Sequence, residues 1–523
     1  IEVKAIAKVF AEGREEGSKC VIGSVKTNIG HLEAASGIAG LIKSALILKY
    51  RQIPPHLHFV TPSPKIPFDE LCVRVPKTLE PWPENSGTAF IGVNSFGFGG
   101  TNSHVLLSEP PGLQPNHADY GDDDGRLLLF PFSAKSETAL KGYIKRFVEF
   151  VQNNDLNLKD LVHTLCKRRS HHNQRLAVSA SHKEELVESL NAYLDDTVRP
   201  GMSVGSIEKE EYKNIVFVYT GMGPIWWAMG RQLLETNAVF RDTIEKCDKL
   251  VQKYAGWSLM EELTKSEENS RLDQPMYAQP ANFAVQIALT KVWETMGIVP
   301  KAVVGHSVGE VAAAYAAGVY SLEDAMLVSV KRSAAQQKTV NDGTMLAVGM
   351  SATEVRQVLK EFTQGISIGA INSPTSVTLA GDKAALEEIQ QFLQDKGIFA
   401  RFLKVNVPYH SFYMDPYKEE ILDALKDIRP QKASIDIFST ALGRKSSGEE
   451  WDASYWWKNV RDAVYFEDTM YEIIDEGYNL FIEVGPHPAL AANIKECLAQ
   501  RNAHGKNYPS IKRKEAEQLT LLE

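Results

Sequence analysis

A serine between two glycines, Ser307 in the stretch GHSVG (305–309), lies in the surroundings that point most directly to chemistry. The apolar run AVV precedes this stretch and the small-residue run EVAAAYAAG follows it, which predicts a strand that turns sharply into a helix. The G-x-S-x-G pattern is typical of such a turn, because glycines tolerate the crowded backbone and the serine hydroxyl is pushed outward. Unpaired N–H groups at the start of the helix favour a developing negative charge. The pattern therefore predicts a nucleophilic serine for acyl transfer.

A serine needs a base to take its proton, so a histidine must lie within hydrogen-bonding distance of Ser307. Of the 13 histidines in the sequence, His306, His410 and His487 are the realistic candidates. His306 is next to the serine, but the bend should point the two side chains apart. His410 follows a predicted strand on a loop that contains proline, VNVPYHS, which can return a base to the turn. We therefore expect His410 to be the base; the alternative is a loop histidine that only caps backbone carbonyls.

The order of predicted strands and helices along the sequence indicates an α/β multidomain chain. Its 523 residues suggest roughly three or four domains. Residues 344–405 follow the order strand, helix, strand, strand, helix, strand, which predicts a ferredoxin-like βαββαβ subdomain inserted into a larger domain. The predicted segments are 1–109 (an incomplete domain), 110–125 (an acidic Pro/Gly linker), 126–208 (a small α/β domain), 209–491 (the larger α/β domain with its insert) and 492–523 (a polar, charged final segment).

Composition narrows the possible partners. The 57 basic and 66 acidic residues give a net charge of −9, which argues against a nucleic-acid surface spread over the molecule. No apolar run has the length of a membrane helix, and the N-terminus lacks the pattern of a signal peptide. The five cysteines lie far apart without a metal-binding spacing, so we expect free thiols, no metal site and a cytoplasmic protein.

A set of ordered motifs resembles the acyltransferase domain of polyketide synthases and animal fatty acid synthase. The motifs are GHSVGE (305–310), YTGMGPIWWAMG (219–230), LVSVKRSAAQQ (327–337), INSP (371–374), PYHS (408–411), YWWKNVRDAVYF (455–466) and FIEVGPHPAL (481–490). Upstream, KTNIGHLEAASGIAGLIK (26–43) and GVNSFGFGGTNSHV (92–105) resemble the C-terminal half of a β-ketoacyl synthase. Residues 126–208 resemble the linker domain between ketosynthase and acyltransferase. The resemblance implies a partial thiolase-like domain, a linker domain and an α/β-hydrolase-like acyltransferase core of an animal-type iterative synthase.

The resemblance assigns roles to particular residues. Ser307 becomes the nucleophile and His410 the base, and the backbone N–H groups of Met222 and Val308 form the oxyanion hole. Most relatives carry glutamine at the position of Met222; the substitution should not abolish catalysis because the backbone makes the contact. Arg332 matches the arginine that pairs with the carboxylate of a malonyl-type unit, a task that suits the planar, permanently charged guanidinium.

The residues before the base bear on the substrate. In the family, the sequence H-A-F-H at the catalytic histidine is typical of enzymes that use malonyl, and Y-A-S-H of enzymes that use methylmalonyl. This chain has V-P-Y-H at the same place. Tyr409 is bulky like the phenylalanine of the malonyl form, so malonyl is favoured and methylmalonyl is the alternative. Asn372, in INSP, is also assigned to substrate binding. We expect His487 to shape the wall around His410.

The ketosynthase segment should not catalyse condensation in this chain. Lys26 and His31 match family residues that assist decarboxylation and condensation, but no cysteine has the T-A-C-S-S context of the nucleophile. The implied partners are a malonyl-type coenzyme A thioester and the phosphopantetheine of an acyl carrier protein, with no permanently bound cofactor and a homodimer only in the full-length synthase. The other readings are a serine hydrolase or thioesterase and a scaffold without catalysis.

Overall fold

The computed structural model describes residues 1–15, 17–83, 88–109, 126–207, 214–362 and 365–522. The chain divides into two compact units, Ile1–Asp122 and Asp123–Glu523. The predicted linker at 110–125 and the predicted boundary at 208/209 lie outside the described residues. No helix in the described ranges has both the length and the apolar character that a membrane span requires.

The first unit contains short strands and one long helix. Helix α3 buries Ser44 and Leu48, whereas Ile38, Ile42 and Leu46 on another face are 59%, 54% and 47% exposed. No element in the described part of this unit covers that apolar face. The elements are α1 (Glu2–Ala11), β1 (Cys20–Val21), α2 (Lys26–Ile29), a 3₁₀ helix (Glu33–Ala35), α3 (Ser36–Tyr50), β2 (Gln52–Ile53), β3 (Val73–Arg74), β4 (Glu80–Pro81), β5 (Phe90–Phe96) and β6 (Asn102–Ser108), paired as β1–β3, β2–β4 and β5–β6.

The second unit begins with a small α/β layer that has its own core. Phe130, Phe132, Leu176 and Val178 alternate along β7 and β8 and are at most 1% exposed, so one sheet face packs against the helices. The strand, helix, helix, strand, helix order is the one that the sequence predicts. The elements are β7 (Leu128–Ala134), α4 (Glu137–Asn153), α5 (Leu158–Lys167), β8 (Gln174–Ala180), α6 (Lys183–Leu194) and β9 (Met202–Ser206), in an antiparallel sheet of order β7-β8-β9.

The remaining elements build two sheets. From 214 to 337 they are β10 (Ile215–Tyr219), α7 (Arg231–Thr236), α8 (Ala238–Ala255), α9 (Leu259–Thr264), a 3₁₀ helix (Glu267–Asn269), α10 (Pro275–Thr295), β11 (Ala302–Gly305), α11 (Gly309–Ala316) and α12 (Leu322–Gln337). From 344 to 402 they are β12 (Thr344–Val348), α13 (Ala352–Val358), β13 (Ile366–Ser373), β14 (Ser376–Gly381), α14 (Lys383–Asp395) and β15 (Ala400–Phe402). From 412 to 522 they are a 3₁₀ helix (Phe412–Tyr417), α15 (Lys418–Ala424), β16 (Asp436–Ser439), β17 (Arg444–Ser446), α16 (Ala453–Arg461), β18 (Val464–Tyr465), α17 (Phe466–Asp475), β19 (Leu480–Val484), α18 (Ala491–Gln500), β20 (Lys506–Pro509) and α19 (Glu517–Leu522).

The larger sheet has the order β17-β16-β11-β10-β19-β20 and is parallel except at β16–β17. Phe217, Tyr219 and Val303 belong to the core on one face, and Val218 and Val304 to the core on the other. A sheet buried on both faces requires continuous apolar strands, which explains the runs IVFVY and AVVG. The carboxyl ends of β10 and β11 lie side by side because Tyr219 pairs with Gly305.

The smaller sheet has the order β15-β12-β14-β13-β18. Its first four strands and two helices come from 344–402 in the β-α-β-β-α-β order that the sequence predicts. The fifth strand does not: β18 pairs in parallel with β13, with Ala370 opposite Val464. The sequence analysis missed β18 because a two-residue strand carries no periodicity.

Residues after 491 continue the core of the larger sheet. β20 pairs in parallel with β19, and the buried Glu517 accepts hydrogen bonds from the backbone N–H groups of Gly230 at 2.7 Å and Leu233 at 3.0 Å. The predicted domain end at 491 is therefore too early. The stretch KNYP lacks the apolar run of a core strand because β20 is at the edge of the sheet and its residues are exposed or half-buried in alternation.

Candidate active site

The turn from β11 into α11 holds Ser307 in a backbone conformation that few residues adopt. Its φ is 54°, in the left-handed region, and its side chain is 8% exposed. A Cβ at Gly305 would lie 2.2 Å from the backbone nitrogen of Glu310, and one at Gly309 would lie 2.2 Å from the carbonyl oxygen of Tyr219. Backbone atoms cannot yield as a flexible side chain can, so both positions require glycine, as the sequence predicts.

His410 reaches Ser307 from the segment after β15. Its Nε2 lies 2.7 Å from Ser307 Oγ, and its Nδ1 lies 2.9 Å from the carbonyl oxygen of Asp462. A carbonyl only accepts hydrogen bonds, so Nδ1 carries the proton and Nε2 is free to accept the serine hydroxyl. The structure thus brings the two predicted catalytic residues together, with a backbone carbonyl where serine proteases use an aspartate.

The pKa of His410 is lowered to about 3, first by burial and then by the charge of Arg332 and by His306. The histidine is 4% exposed, and hydrogen bonds to the carbonyls of Asp462 and Asn459 oppose the shift. The imidazole is therefore neutral at physiological pH and can accept a proton.

Arg332, on α12, is 1% exposed and points its guanidinium at the serine. Its Nη2 donates to Ser307 Oγ at 3.0 Å, while Nη1 donates to Gln279 Oε1 at 2.6 Å and Gln336 Oε1 at 2.9 Å. Its Nε donates to Asn459 Oδ1 at 2.8 Å. Burial lowers the pKa of Arg332 to about 10, so the side chain remains positively charged at neutral pH.

The predicted oxyanion-hole residues lie at the ends of two neighbouring strands. Val308 is the N-cap of α11, and Met222 follows β10. Neither backbone N–H donates a hydrogen bond to any residue that the structure describes. Two donors without partners beside a nucleophile are what a developing oxyanion needs.

The other predicted substrate residues lie around this cluster. Tyr409 is 6% exposed and packs in a small core with Met345 and the partly buried Met222. Asn372 Oδ1 lies 2.8 Å from His306 Nε2, so its contact is with the neighbour of the serine. His487 Nδ1 accepts from the backbone N–H of Arg513 at 3.1 Å, which gives it a contact with the C-terminal segment.

Sequence reasoning missed the polar groups that support the cluster. Glu310 is 0% exposed and accepts hydrogen bonds from Tyr455 and Asn459, both at 2.7 Å. Burial raises the pKa of Glu310, and these donors oppose the rise. Glu310 could have been found because it is the only charged residue of the otherwise apolar helix GEVAAAYA, and a buried charge needs partners. Asn459 carries no such local signal.

The two predicted ketosynthase residues lie in the first unit and are both exposed. His31 Nδ1 accepts from the backbone N–H of Glu33 at 2.9 Å, a contact between close neighbours in sequence. Among the described residues, no group of three His, Cys, Asp or Glu side chains could hold a metal ion.

A groove of about 320 Å³ opens beside the cluster. It is lined by His410 and Asp462, by Ile371 of β13, by Tyr465 of β18 and by the exposed Arg356 of α13. The groove gives the buried His410 a route to solvent beside the smaller sheet, and Ser307 is not among the residues that line it.

Three family models match successive segments of the chain. The family model of the acyl transferase domain matches residues 216–522, which include every residue of the cluster around Ser307. The chain belongs to the acyl transferase domain family. Upstream of this acyl transferase domain, residues 1–60 match the C-terminal domain of β-ketoacyl synthase and residues 62–178 match the ketoacyl-synthetase C-terminal extension.

Curated relatives extend the likeness over the whole chain. The highly reducing polyketide synthase tstA of Talaromyces stipitatus is 36% identical over 100% of this chain, and the erythronolide synthase EryA2 of Saccharopolyspora erythraea is 33% identical over 96%. The chain spans only 22% and 14% of the lengths of these two synthases. The chain therefore resembles the ketosynthase–acyltransferase region of polyketide synthases, as predicted; an animal-type origin stays a prediction.

Solved structures share the acyltransferase fold. The acyltransferase domain from module 8 of the salinomycin polyketide synthase superposes with a TM-score of 0.71 at 31% identity and covers 75% of this chain and 96% of its own. The acyl transferase domain of SpnD, in complex with 2-(pent-4-yn-1-yl)malonyl, gives a TM-score of 0.68 at 26% identity and covers 76% of this chain and 94% of its own.

Proposed function

We propose that the acyl transferase domain moves a malonyl-type acyl group from coenzyme A to the phosphopantetheine thiol of an acyl carrier protein through an ester on Ser307. One observation carries this proposal. Ser307 Oγ lies 2.7 Å from the proton-accepting nitrogen of His410 and 3.0 Å from a donor of the buried cation Arg332. A nucleophile, a base and a carboxylate-binding cation therefore meet at one atom.

The first half-reaction forms the acyl ester. His410 Nε2 takes the hydroxyl proton while Ser307 Oγ attacks the thioester carbonyl carbon. The N–H groups of Val308 and Met222 stabilise the negative oxygen. The carbon–sulfur bond then breaks, and the departing coenzyme A sulfur receives the proton from His410.

The second half-reaction reverses these steps with a different thiol. The phosphopantetheine thiol gives its proton to His410 and attacks the ester carbonyl, the carbon–oxygen bond breaks, and Ser307 recovers its proton. The carbonyl of Asp462 accepts from Nδ1 throughout, so it stabilises the imidazolium that forms in each half-reaction.

Arg332 favours an acyl group that carries a free carboxylate. A buried guanidinium binds a carboxylate through strong, charge-assisted hydrogen bonds. A bound carboxylate would also offset the positive charge that lowers the pKa of His410 and so make this base stronger. The complex of the similar SpnD acyl transferase domain with 2-(pent-4-yn-1-yl)malonyl supports the same substrate class. Bulky Tyr409 favours malonyl, and methylmalonyl remains the alternative.

Replacing Arg332 by alanine tests the substrate class. We expect malonyl loading of Ser307 to fall by about 10- to 100-fold, since a hydrogen bond to a charged group contributes about 1.5–3 kcal/mol. Acetyl loading should fall much less, because acetyl lacks the carboxylate. Loading is measured by mass spectrometry of the intact protein after mixing with each coenzyme A thioester.

Lys331→Ala is the matched control, because it removes a neighbouring cation on α12. It should leave the ratio of malonyl to acetyl loading unchanged. An equal loss of both acyl groups in Arg332→Ala would favour a serine hydrolase or thioesterase. The absence of added malonyl mass on wild-type Ser307 would favour a scaffold without catalysis.

The finer classification rests on the same family likeness. We propose a thiolase-like first unit, an α/β-hydrolase-like core around the larger sheet and a ferredoxin-like insert around β12–β15. Asn372 would contribute to substrate binding through His306, and Lys26 and His31 would be remnants of a ketosynthase site. We further propose a cytoplasmic enzyme with no permanently bound cofactor, which dimerises in the full-length synthase.

A further inference from the structure

Glu310 is a buried carboxylate surrounded by donors, three residues after the nucleophile. Its Oε1 accepts from the backbone N–H of Thr440 at 2.5 Å, whereas the Thr440 hydroxyl, 3.1 Å from Oε1, donates to the carbonyl oxygen of Gly305 at 2.8 Å. Its Oε2 accepts from Tyr455 Oη and Asn459 Nδ2, both at 2.7 Å. These donors match an ionised carboxylate, which only accepts hydrogen bonds. The reaction proposed above gives Glu310 no role.

The side-chain amide of Asn459 links Glu310 to the two reacting residues. Its Nδ2 donates to Glu310 and also to the backbone carbonyl of Ser307 at 3.1 Å, and its Oδ1 accepts from Arg332 Nε at 2.8 Å. Because the carboxylate accepts only, the NH₂ group of Asn459 must face Glu310. The amide oxygen must then face Arg332. Glu310, the carbonyl of Ser307 and the Nε–H of Arg332 therefore all require the same orientation of this amide.

The orientation of Asn459 in turn limits the orientation of Arg332. The guanidinium has five N–H groups in a rigid plane. Asn459 accepts a hydrogen bond from Nε–H. Gln279 and Gln336 both accept from Nη1. The remaining nitrogen, Nη2, therefore faces Ser307. A reversed Asn459 amide would place its NH₂ group against Arg332 Nε–H, and the plane would have to rotate.

We propose that Glu310 and Asn459 are positioning residues for acyl-group selection: Glu310 orients Asn459, and Asn459 holds Arg332 with its Nη2 edge toward the acyl group on Ser307. This inference rests on the proposed function, because it assumes that Arg332 binds the carboxylate of the acyl group. It adds that the preference for carboxylated acyl groups depends on a glutamate and an asparagine that need not touch the substrate carboxylate.

The test measures kcat/KM for malonyl- and acetyl-coenzyme A in wild type, Glu310→Gln and Asn459→Ala. We expect the malonyl-to-acetyl ratio of kcat/KM to fall by about tenfold in each variant, chiefly through a higher KM for malonyl-coenzyme A. In the Arg332→Ala background, adding Asn459→Ala should not lower the ratio further, because the two residues act through one guanidinium.

Glu483→Gln is the matched control. Glu483 is 1% exposed in β19 and accepts from the backbone N–H of Leu490 at 2.7 Å, and no hydrogen bond joins it to Arg332 or Ser307. Glu483→Gln should lower the melting temperature of the protein without changing the malonyl-to-acetyl ratio of kcat/KM. A merely structural role of Glu310 predicts the same result for Glu310→Gln.

The outcomes separate the two proposals. If wild type gains no malonyl on Ser307, the proposed function fails and the inference fails with it. If wild type prefers malonyl but neither variant changes the ratio, the inference is overturned and the proposed function stands. If Glu310→Gln does not fold, Asn459→Ala and its combination with Arg332→Ala decide alone. If Asn459→Ala lowers the malonyl-to-acetyl ratio in the wild-type background but not in the Arg332→Ala background, the inference is supported.

Discussion

Ser307, His410 and Arg332 in the second unit are each less than 10% exposed, whereas Lys26 and His31 in the first unit are exposed to solvent. These residues of both units belong to sequence motifs that resemble those of polyketide synthases. Around Ser307, the motif residues meet partners from distant parts of the chain, including His410 and Arg332 within 3.0 Å. Among the residues that the structure describes, the hydrogen bond of His31 is to Glu33, two residues away.

Within the described residues, long-range contacts complete the motif around Ser307, whereas the hydrogen bond of His31 is a local one. A buried cation such as Arg332 is costly without partners, so the fold surrounds it with Gln279, Gln336 and Asn459. An exposed lysine such as Lys26 is solvated by water and needs no such arrangement. We therefore expect substitutions in the two regions to have very different effects.

The largest difference should come from deleting the motif residues themselves. Ser307→Ala should lower acyl transfer to a carrier protein by about 10⁶-fold, since it removes the nucleophile. Lys26→Ala and His31→Ala should each change the transfer rate by less than about twofold, in line with ordinary surface substitutions. The rates are followed by mass spectrometry of the carrier protein. A loss above tenfold in His31→Ala would show that the first unit takes part in transfer.

A smaller difference should appear when one methyl group is added to a glycine in each region. Gly309→Ala places Cβ 2.2 Å from the Tyr219 carbonyl oxygen and should cost about 1–3 kcal/mol or more of unfolding free energy. Gly99→Ala, in the glycine-rich turn of the first unit, meets nothing within 4 Å and should stay within about 0.5 kcal/mol. Urea unfolding followed by circular dichroism measures both, and a stable Gly309→Ala would contradict the described turn.

The smallest expected effect is that of pH on the rate of malonyl loading. The pKa of His410 is lowered to about 3, so the base stays unprotonated as the pH falls through the range in which an ordinary histidine gains a proton. We expect kcat/KM for malonyl loading to fall by less than about twofold between about pH 7.5 and 5.5, where a base of pKa about 6.5 would lose about tenfold. Stopped-flow measurement of loading, with circular dichroism at each pH as the folding control, distinguishes the two. A half-maximal rate near pH 6.5 would show that His410 is less shielded than the structure indicates.

The local features of the site can be predicted from residue types and their short spacing. Gly305, Ser307 and Gly309 predict the turn because their constraints come from a few neighbouring backbone atoms, and apolar runs such as IVFVY predict buried strands. The ordered motifs also led to the family and to Arg332. These signals depend on residue type and short spacing, which a single sequence displays directly.

The distant groups that complete the site are known from the folded chain and not from its sequence. The carbonyl that orients His410 belongs to Asp462, the fifth strand of the smaller sheet is β18, and the core continues past residue 491 into β20. A backbone carbonyl has the same chemistry at every residue, and a two-residue strand is too short to show a periodic pattern. Neither feature can therefore be predicted from the sequence. The link from Glu310 through Asn459 to Arg332 joins residues that are up to 149 positions apart, and chain folding alone sets such contacts.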